Sequence, residues 1–196
     1  MKKIIIMFVL SLSLFAIEQK QEGVGWLDIF SYDESSTKER VLLIGDSIVR
    51  QYINSVRNGI KDKYTVTRLS TSKSICSSQY INQLSIAMTQ RYKIILINNG
   101  LHDFSATNEE YEECYKKSLD YIVKENLTST IVLVNTTGVN GIKTRNDIVI
   151  QRNRSLLKLA NLYKFNYLNL YSIVEGQKEL WSDNYHYKEG GGKYVS

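Results

Sequence analysis

The sequence predicts an α/β protein, a three-layer α/β/α sandwich around a five-stranded parallel sheet. Three observations point there. Five short, continuous apolar runs lie between residues 41 and 170, a pattern expected of strands buried on both faces. Segments of helical period separate each run from the next, and parallel strands need such crossovers, which lay helices against the sheet. The chain is 196 residues long, with 43% hydrophobic and 23% charged residues, which suits one soluble domain with a single core.

The elements follow in order. Val41-Leu42-Leu43-Ile44 is the first strand and ends at Gly45; Ile48–Ile60 follows as a helix. Tyr64–Leu69 is the second strand, with Ser77–Arg91 as its helix. After the third strand, Ile94–Ile97, the residues Tyr111, Cys114, Tyr115, Ser118, Leu119 and Ile122 recur at three and four positions while Glu and Lys fill the other face. Thr107 and Glu110 stand in capping-box spacing at the start of that helix. Ile131–Val134 is the fourth strand. Asn146–Tyr163 is a helix with Val149, Leu156, Leu159, Ala160 and Tyr163 on its inner side, Arg152-Asn153-Arg154 reads as a solvated face, and Tyr167–Leu170 is the fifth strand.

The chain divides into three parts. Lys2 and Lys3 precede a 13-residue apolar run, Ile4–Ala16, that turns polar at Glu18, so residues 1–16 have the outline of a secretory signal peptide. The run is shorter than the roughly 20 residues a spanning helix needs. Export to the periplasm or the extracellular space is therefore expected, with no stable membrane span after cleavage; anchoring by an uncleaved segment is the alternative. Residues 17–39 form a polar lead-in around Trp26–Phe30 that can pack on the domain edge, and residues 40–196 form the domain itself. Gly190-Gly191-Gly192 reads as a flexible end.

The formal charge is +5, and loss of Lys2 and Lys3 with the leader lowers it to +3. The basic residues are interspersed with acidic ones in no dense block, so nucleic-acid binding is not expected. Cys76 and Cys114 are the only cysteines. They can form one disulfide in an exported protein or stand as two buried thiols, and two cysteines and two histidines so far apart lack metal-ligand spacing. No glycine-rich phosphate-binding pattern follows any strand.

In a parallel sheet of this kind ligands bind beyond the carboxyl ends of the strands. Gly45-Asp46-Ser47 follows the first strand, where a serine opening a helix sits near the positive end of the helix dipole; Asp or Ser there is also an ordinary N-cap. Asn98-Asn99-Gly100-Leu101-His102-Asp103 follows the third strand, and Asp183-Asn184-Tyr185-His186 lies near the C-terminus, so both histidines of the chain fall in polar segments. A serine needs an adjacent base to act as a nucleophile, and an imidazole base needs a carboxylate to fix its tautomer. Asp183 and His186, three residues apart, can form that pair. Trp181 and Tyr185 flank Asp183 and can wall a pocket or cover the turn.

In these three blocks, and in their order, the sequence resembles the SGNH or GDSL-type hydrolases over roughly residues 40 to 190. The resemblance implies that family's version of the sandwich, a flavodoxin-like sheet, and a serine esterase with no metal and no organic cofactor. Ser47 would be the nucleophile, His186 the general base and Asp183 its orienting partner. Two blocks depart from the family. His102 stands where the family's Gly-x-Asn-Asp block, here Gly100-Leu101-His102-Asp103, has an asparagine amide as oxyanion donor; a neutral imidazole can donate one N–H, and Asn99 beside Gly100 is the alternative donor. The family also has a block after the second strand whose glycine N–H is an oxyanion donor; no glycine lies between Gly59 and Gly100 here, and the backbone of Ser70-Thr71-Ser72-Lys73-Ser74 is the substitute, with Ser72 the expected donor. The substrate expected is a small-molecule or carbohydrate ester carrying a short acyl group, acetyl foremost. Acyl transfer or lipase-like cleavage by the same residues, and a non-catalytic carbohydrate-binding or surface domain on the same fold, are the alternatives.

Overall fold

Strands with both faces apolar and helices with one apolar stripe can satisfy each other only in layers, and a computed structural model shows that solution for residues 25–188. The apolar segment Ile4–Ala16 and the glycines Gly190–Gly192 lie outside the described residues. The elements are β1 (Leu27–Ser31), β2 (Glu39–Gly45), α1 (Ser47–Ile60), β3 (Tyr64–Thr71), α2 (Ser78–Ala87), β4 (Ile94–Asn98), α3 (Asn108–Glu125), β5 (Thr130–Val134), α4 (Lys143–Tyr163), β6 (Asn166–Leu168) and α5 (Leu170–Val174), with a 3₁₀ turn at Lys178–Leu180. The sheet order is β1-β3-β2-β4-β5-β6; β2 to β6 are parallel and β1 is antiparallel.

Alternation along the strands divides the core in two. Leu42, Ile44, Leu69, Ile95, Ile97, Ile131 and Leu133 face α2, α3 and the C-terminal half of α4. Val41, Leu43, Val66 and Val134 face α1, α5 and Val149 of α4. The central strand β2 is joined to helix α1 on one face while β4 leads to α3 on the other, so the chain diverges where these strands end. That crevice is where a ligand fits in an open parallel sheet.

Four expectations need correction. The sheet has six strands, because the lead-in supplies β1, pairing Leu27 with Thr71 through to Ser31 with Thr67 and placing Asp28 against Arg68. Helix α2 stops at Ala87 rather than Arg91, where the Met88 N–H donates to Leu84 O and the Tyr92 hydroxyl donates to Ala87 O. Strand β6 ends at Leu168, because the Asn169 side chain accepts from Ser172 N and starts α5, which takes Leu170. Arg152 is not on a solvated face: it is 1% exposed. The capping box is present as spaced, with Thr107 Oγ1 accepting from Glu110 N and Glu110 accepting from Thr107 N. Cys76 and Cys114 form a disulfide that ties the segment after β3 to α3.

Candidate active site

Two strand ends and a turn near the C-terminus build one crevice. β2 and β4 run in register from Val41 opposite Ile94 to Gly45 opposite Asn98. A Cβ on Gly45 would lie 2.3 Å from both Asn98 O and Val49 Cγ2, so only glycine lets the strands close there. The next residue, Asp46, is fully buried and caps α1, its Oδ1 accepting from Ile48 N at 2.9 Å. With that capping role taken by Asp46, Ser47 is left half-buried in the first turn of the helix, where backbone N–H groups have no intrahelical acceptor. The cap and the candidate nucleophile are thus neighbouring residues.

The second part comes from the opposite end of the chain. Trp181 pairs with Tyr187 across a short antiparallel turn, their rings stacked at 4.5 Å, and Ser182 N donates to His186 O and Lys188 N to Leu180 O. Asp183 organises the tip: Oδ1 accepts from Tyr185 N at 2.7 Å and His186 N at 2.8 Å, and Oδ2 meets His186 Nδ1 at 2.9 Å. Burial pushes the Asp183 carboxyl up, but the ring and backbone hydrogen bonds of His186, and its charge, outweigh that and hold it below its ordinary value. An ionised carboxylate only accepts, so Nδ1 carries the proton and Nε2 presents its lone pair. Nε2 lies 2.8 Å from Ser47 Oγ, across 139 residues of sequence.

The third part is the loop after β4. Asn98 uses its amide on Val134 O and Asn135 O, linking β4 to β5. Asn99, 2% exposed, donates from Nδ2 to Lys73 O at 3.2 Å and accepts at its carbonyl from the Tyr111 hydroxyl, so it links the two loops that follow β3 and β4. Gly100 sits against Thr136, where a Cβ would be 2.8 Å from Cγ2. Arg152 reaches over from α4 and donates to the carbonyls of Gly100, His102 and Asp103, with its guanidinium above the rings of Phe104 and Tyr111. His102 is half-buried in the loop so held.

The residues singled out from sequence are therefore arranged unequally. Ser47, Asp183 and His186 come together in hydrogen-bonding order. Gly100 and His102 lie in the Arg152-held loop. Ser72 is a correction: its N–H donates to Trp26 O at 3.1 Å and its hydroxyl accepts from Trp26 N, because β1 pairs with this edge of β3. That N–H is committed to the sheet and is not an oxyanion donor. Asn99 spends at least one amide hydrogen on Lys73 O. Trp181 packs on Tyr187 within the turn, whereas Tyr185 faces Phe104, with Arg145 over both rings. Sequence reasoning missed Arg152, although it stands three residues after Val149 and four before Leu156, on the buried stripe of α4. It also missed Gln51, Asn140 and Asn184, which carry no pattern of their own.

Chemically, the arrangement holds an alcohol against an imidazole lone pair, with a carboxylate on the far side of the ring and helix N–H groups beside the oxygen. That is the equipment for proton abstraction from Ser47.

No family model matches the sequence, and no curated protein matches it. Solved structures do match in shape. An acetylxylan esterase from Geobacillus stearothermophilus, Axe2, superposes with a TM-score of 0.64 at 16% identity, covering 80% of this chain and 90% of that one. A member of the lipolytic protein G-D-S-L family from Veillonella parvula superposes with a TM-score of 0.65 at 14% identity, covering 80% and 93%. At such identities the likeness is one of fold. The protein has the fold of the SGNH/GDSL-type hydrolases.

Proposed function

We propose that the protein is a serine ester hydrolase that removes a short acyl group, acetyl foremost, from a carbohydrate or another polar ester. The observation that carries this reading is the chain of contacts from Asp183 through His186 to Ser47, at 2.9 and 2.8 Å. The likeness in fold to an acetylxylan esterase supports the acyl and substrate class.

In the reaction, Ser47 Oγ attacks the ester carbonyl carbon as His186 Nε2 takes its proton, and Asp183 stabilises the imidazolium. The tetrahedral oxyanion is held by the Ser47 N–H and by the ring N–H of His102. Collapse breaks the bond to the alkoxide, which receives the proton from His186 and leaves as the alcohol. Water then attacks the acyl-enzyme with His186 again as base, and the acid departs as Ser47 is reprotonated. The protein is exported in this reading, and the Cys76–Cys114 disulfide supports an oxidising compartment.

Hydrolysis of p-nitrophenyl acetate by the parent and by Ser47→Ala tests the assignment. The variant is expected to lose on the order of 10⁴-fold or more in kcat. A variant that hydrolyses at the parent rate removes Ser47 as nucleophile.

A further inference from the structure

We infer that Gln51 is a positioning residue for the reaction, one that fixes the general base against the nucleophile. The inference rests on the esterase reading above. Ser47 and His186 are 139 residues apart, and no disulfide joins their segments: the one disulfide among the described residues lies between Cys76 and Cys114. Something else has to keep Nε2 in line with Oγ, because a displacement of about 1 Å at such a pair can cost 100-fold in rate.

Gln51 is suited to that task by its place on α1. It follows Ser47 by four residues, so the two side chains lie on the same face of the helix, one turn apart. Its amide Nε2 donates to Tyr187 O at 2.9 Å and its Oε1 lies 3.3 Å from Tyr187 N, which donates to it. One primary amide thus satisfies both backbone groups of the residue next to His186, as a neighbouring strand would. Tyr187 itself is anchored, with its side chain 3% exposed and stacked on Trp181.

The other anchor of the turn acts elsewhere. Asn140 N donates to Asn184 O and Asn184 Nδ2 donates to Asn140 O, which ties the tip to the loop preceding α4. That pair ties the tip to the loop before α4, and its hydrogen bonds do not reach the helix that carries Ser47. Among the described residues, the Gln51 amide is the side chain outside the Ser47–His186 contact that couples the arm after His186 to that helix by hydrogen bonds. Gln51 is half-buried and touches no reacting atom, so its effect runs through the placement of the imidazole.

The test uses Gln51→Met, which keeps length and loses both hydrogen bonds, and Gln51→Glu, which keeps only the acceptor for Tyr187 N–H. Two quantities are measured: kcat and KM on p-nitrophenyl acetate, normalised to titrated active sites, and hydrogen exchange at the Tyr187 amide. Gln51→Met is expected to lower kcat about 10- to 100-fold with KM within about twofold, and to speed Tyr187 exchange. Gln51→Glu is expected to fall between parent and Met in kcat and to keep most of the amide's protection. An active parent with a Met variant of unchanged kcat or unchanged Tyr187 exchange overturns the clamp and leaves the esterase reading standing. A loss in kcat that comes with an equal rise in KM, or that is as large in Glu as in Met, overturns it as well. A parent without any turnover removes both readings.

Discussion

His102 is the residue at which this chain departs from the Gly-x-Asn-Asp pattern of the hydrolases its sequence resembles, and in the proposed reaction its consequence is measurable. An oxyanion donor has to sit within hydrogen-bonding reach of the developing negative charge, and removal of one donor costs about 100- to 1,000-fold in kcat. His102→Ala is expected to show a loss in that range on p-nitrophenyl acetate with little change in KM, and His102→Asn to recover part of it, since an amide also donates. A His102→Ala protein with parent kcat would place the donor elsewhere. Asp183 gives a second expectation, with a sign. Its carboxyl is held below the ordinary 3.8 in the folded protein, so its interaction with His186 stabilises the fold above about pH 4 and is lost as pH falls through the lowered value. The melting difference between parent and Asp183→Asn should therefore narrow on acidification from about pH 6 towards pH 3; a gap that widens contradicts the pairing. Because Asp183 is half-exposed, water shares its role, and kcat is expected to fall in the Asn variant by less than in Ser47→Ala.

At the scale of elements, the site depends on loops that are held by residues remote from the chemistry. The loop after β4 carries His102, and its carbonyls are gathered by one buried guanidinium on α4. The segment after β3 is joined to α3 by the disulfide across 38 residues. Closing a loop of that length in the unfolded chain is worth about 3–4 kcal/mol, which corresponds to a fall in Tm of roughly 10 °C when the bond is removed. Cys76→Ala/Cys114→Ala should show that fall while keeping the proposed esterase activity at low temperature, since neither sulfur lies among the groups proposed to act on the ester. Unchanged melting would mean that the bond does not form in the folded protein. The helix boundaries follow the same local logic: capping by Thr107 was readable as spacing and capping of α1 as a choice between Asp46 and Ser47, whereas the early stop of α2 depends on the Tyr92 hydroxyl reaching back to Ala87 O, a contact no periodicity reports.

Over the whole molecule, what could be read from the residues was the part governed by period and by order. Five apolar runs alternating with amphipathic segments carry the layered sheet, and serine first with Asp-x-x-His last carries the convergence of the two chain ends. The sixth strand was not readable, because in Leu27–Ser31 Leu27 and Phe30 are exposed, while only Ile29 packs against the core, so no alternating stripe announces it. That omission led directly to the misplaced oxyanion donor: without β1 in view, the Ser72 N–H looked free, and with β1 in place it belongs to Trp26 O. Arg152 was hidden for the opposite reason, a charge standing on a buried stripe, where its three carbonyl partners come from a loop some fifty residues earlier in the chain. The account as a whole rests on the two ends of the chain making one reactive alcohol. Treatment with an alkyl fluorophosphonate, followed by mass mapping of the adduct, tests this most directly. The native protein should be labelled at Ser47, and labelling should be lost after heat denaturation and in His186→Ala. A native protein without an adduct on Ser47, or one labelled equally after denaturation, would contradict it.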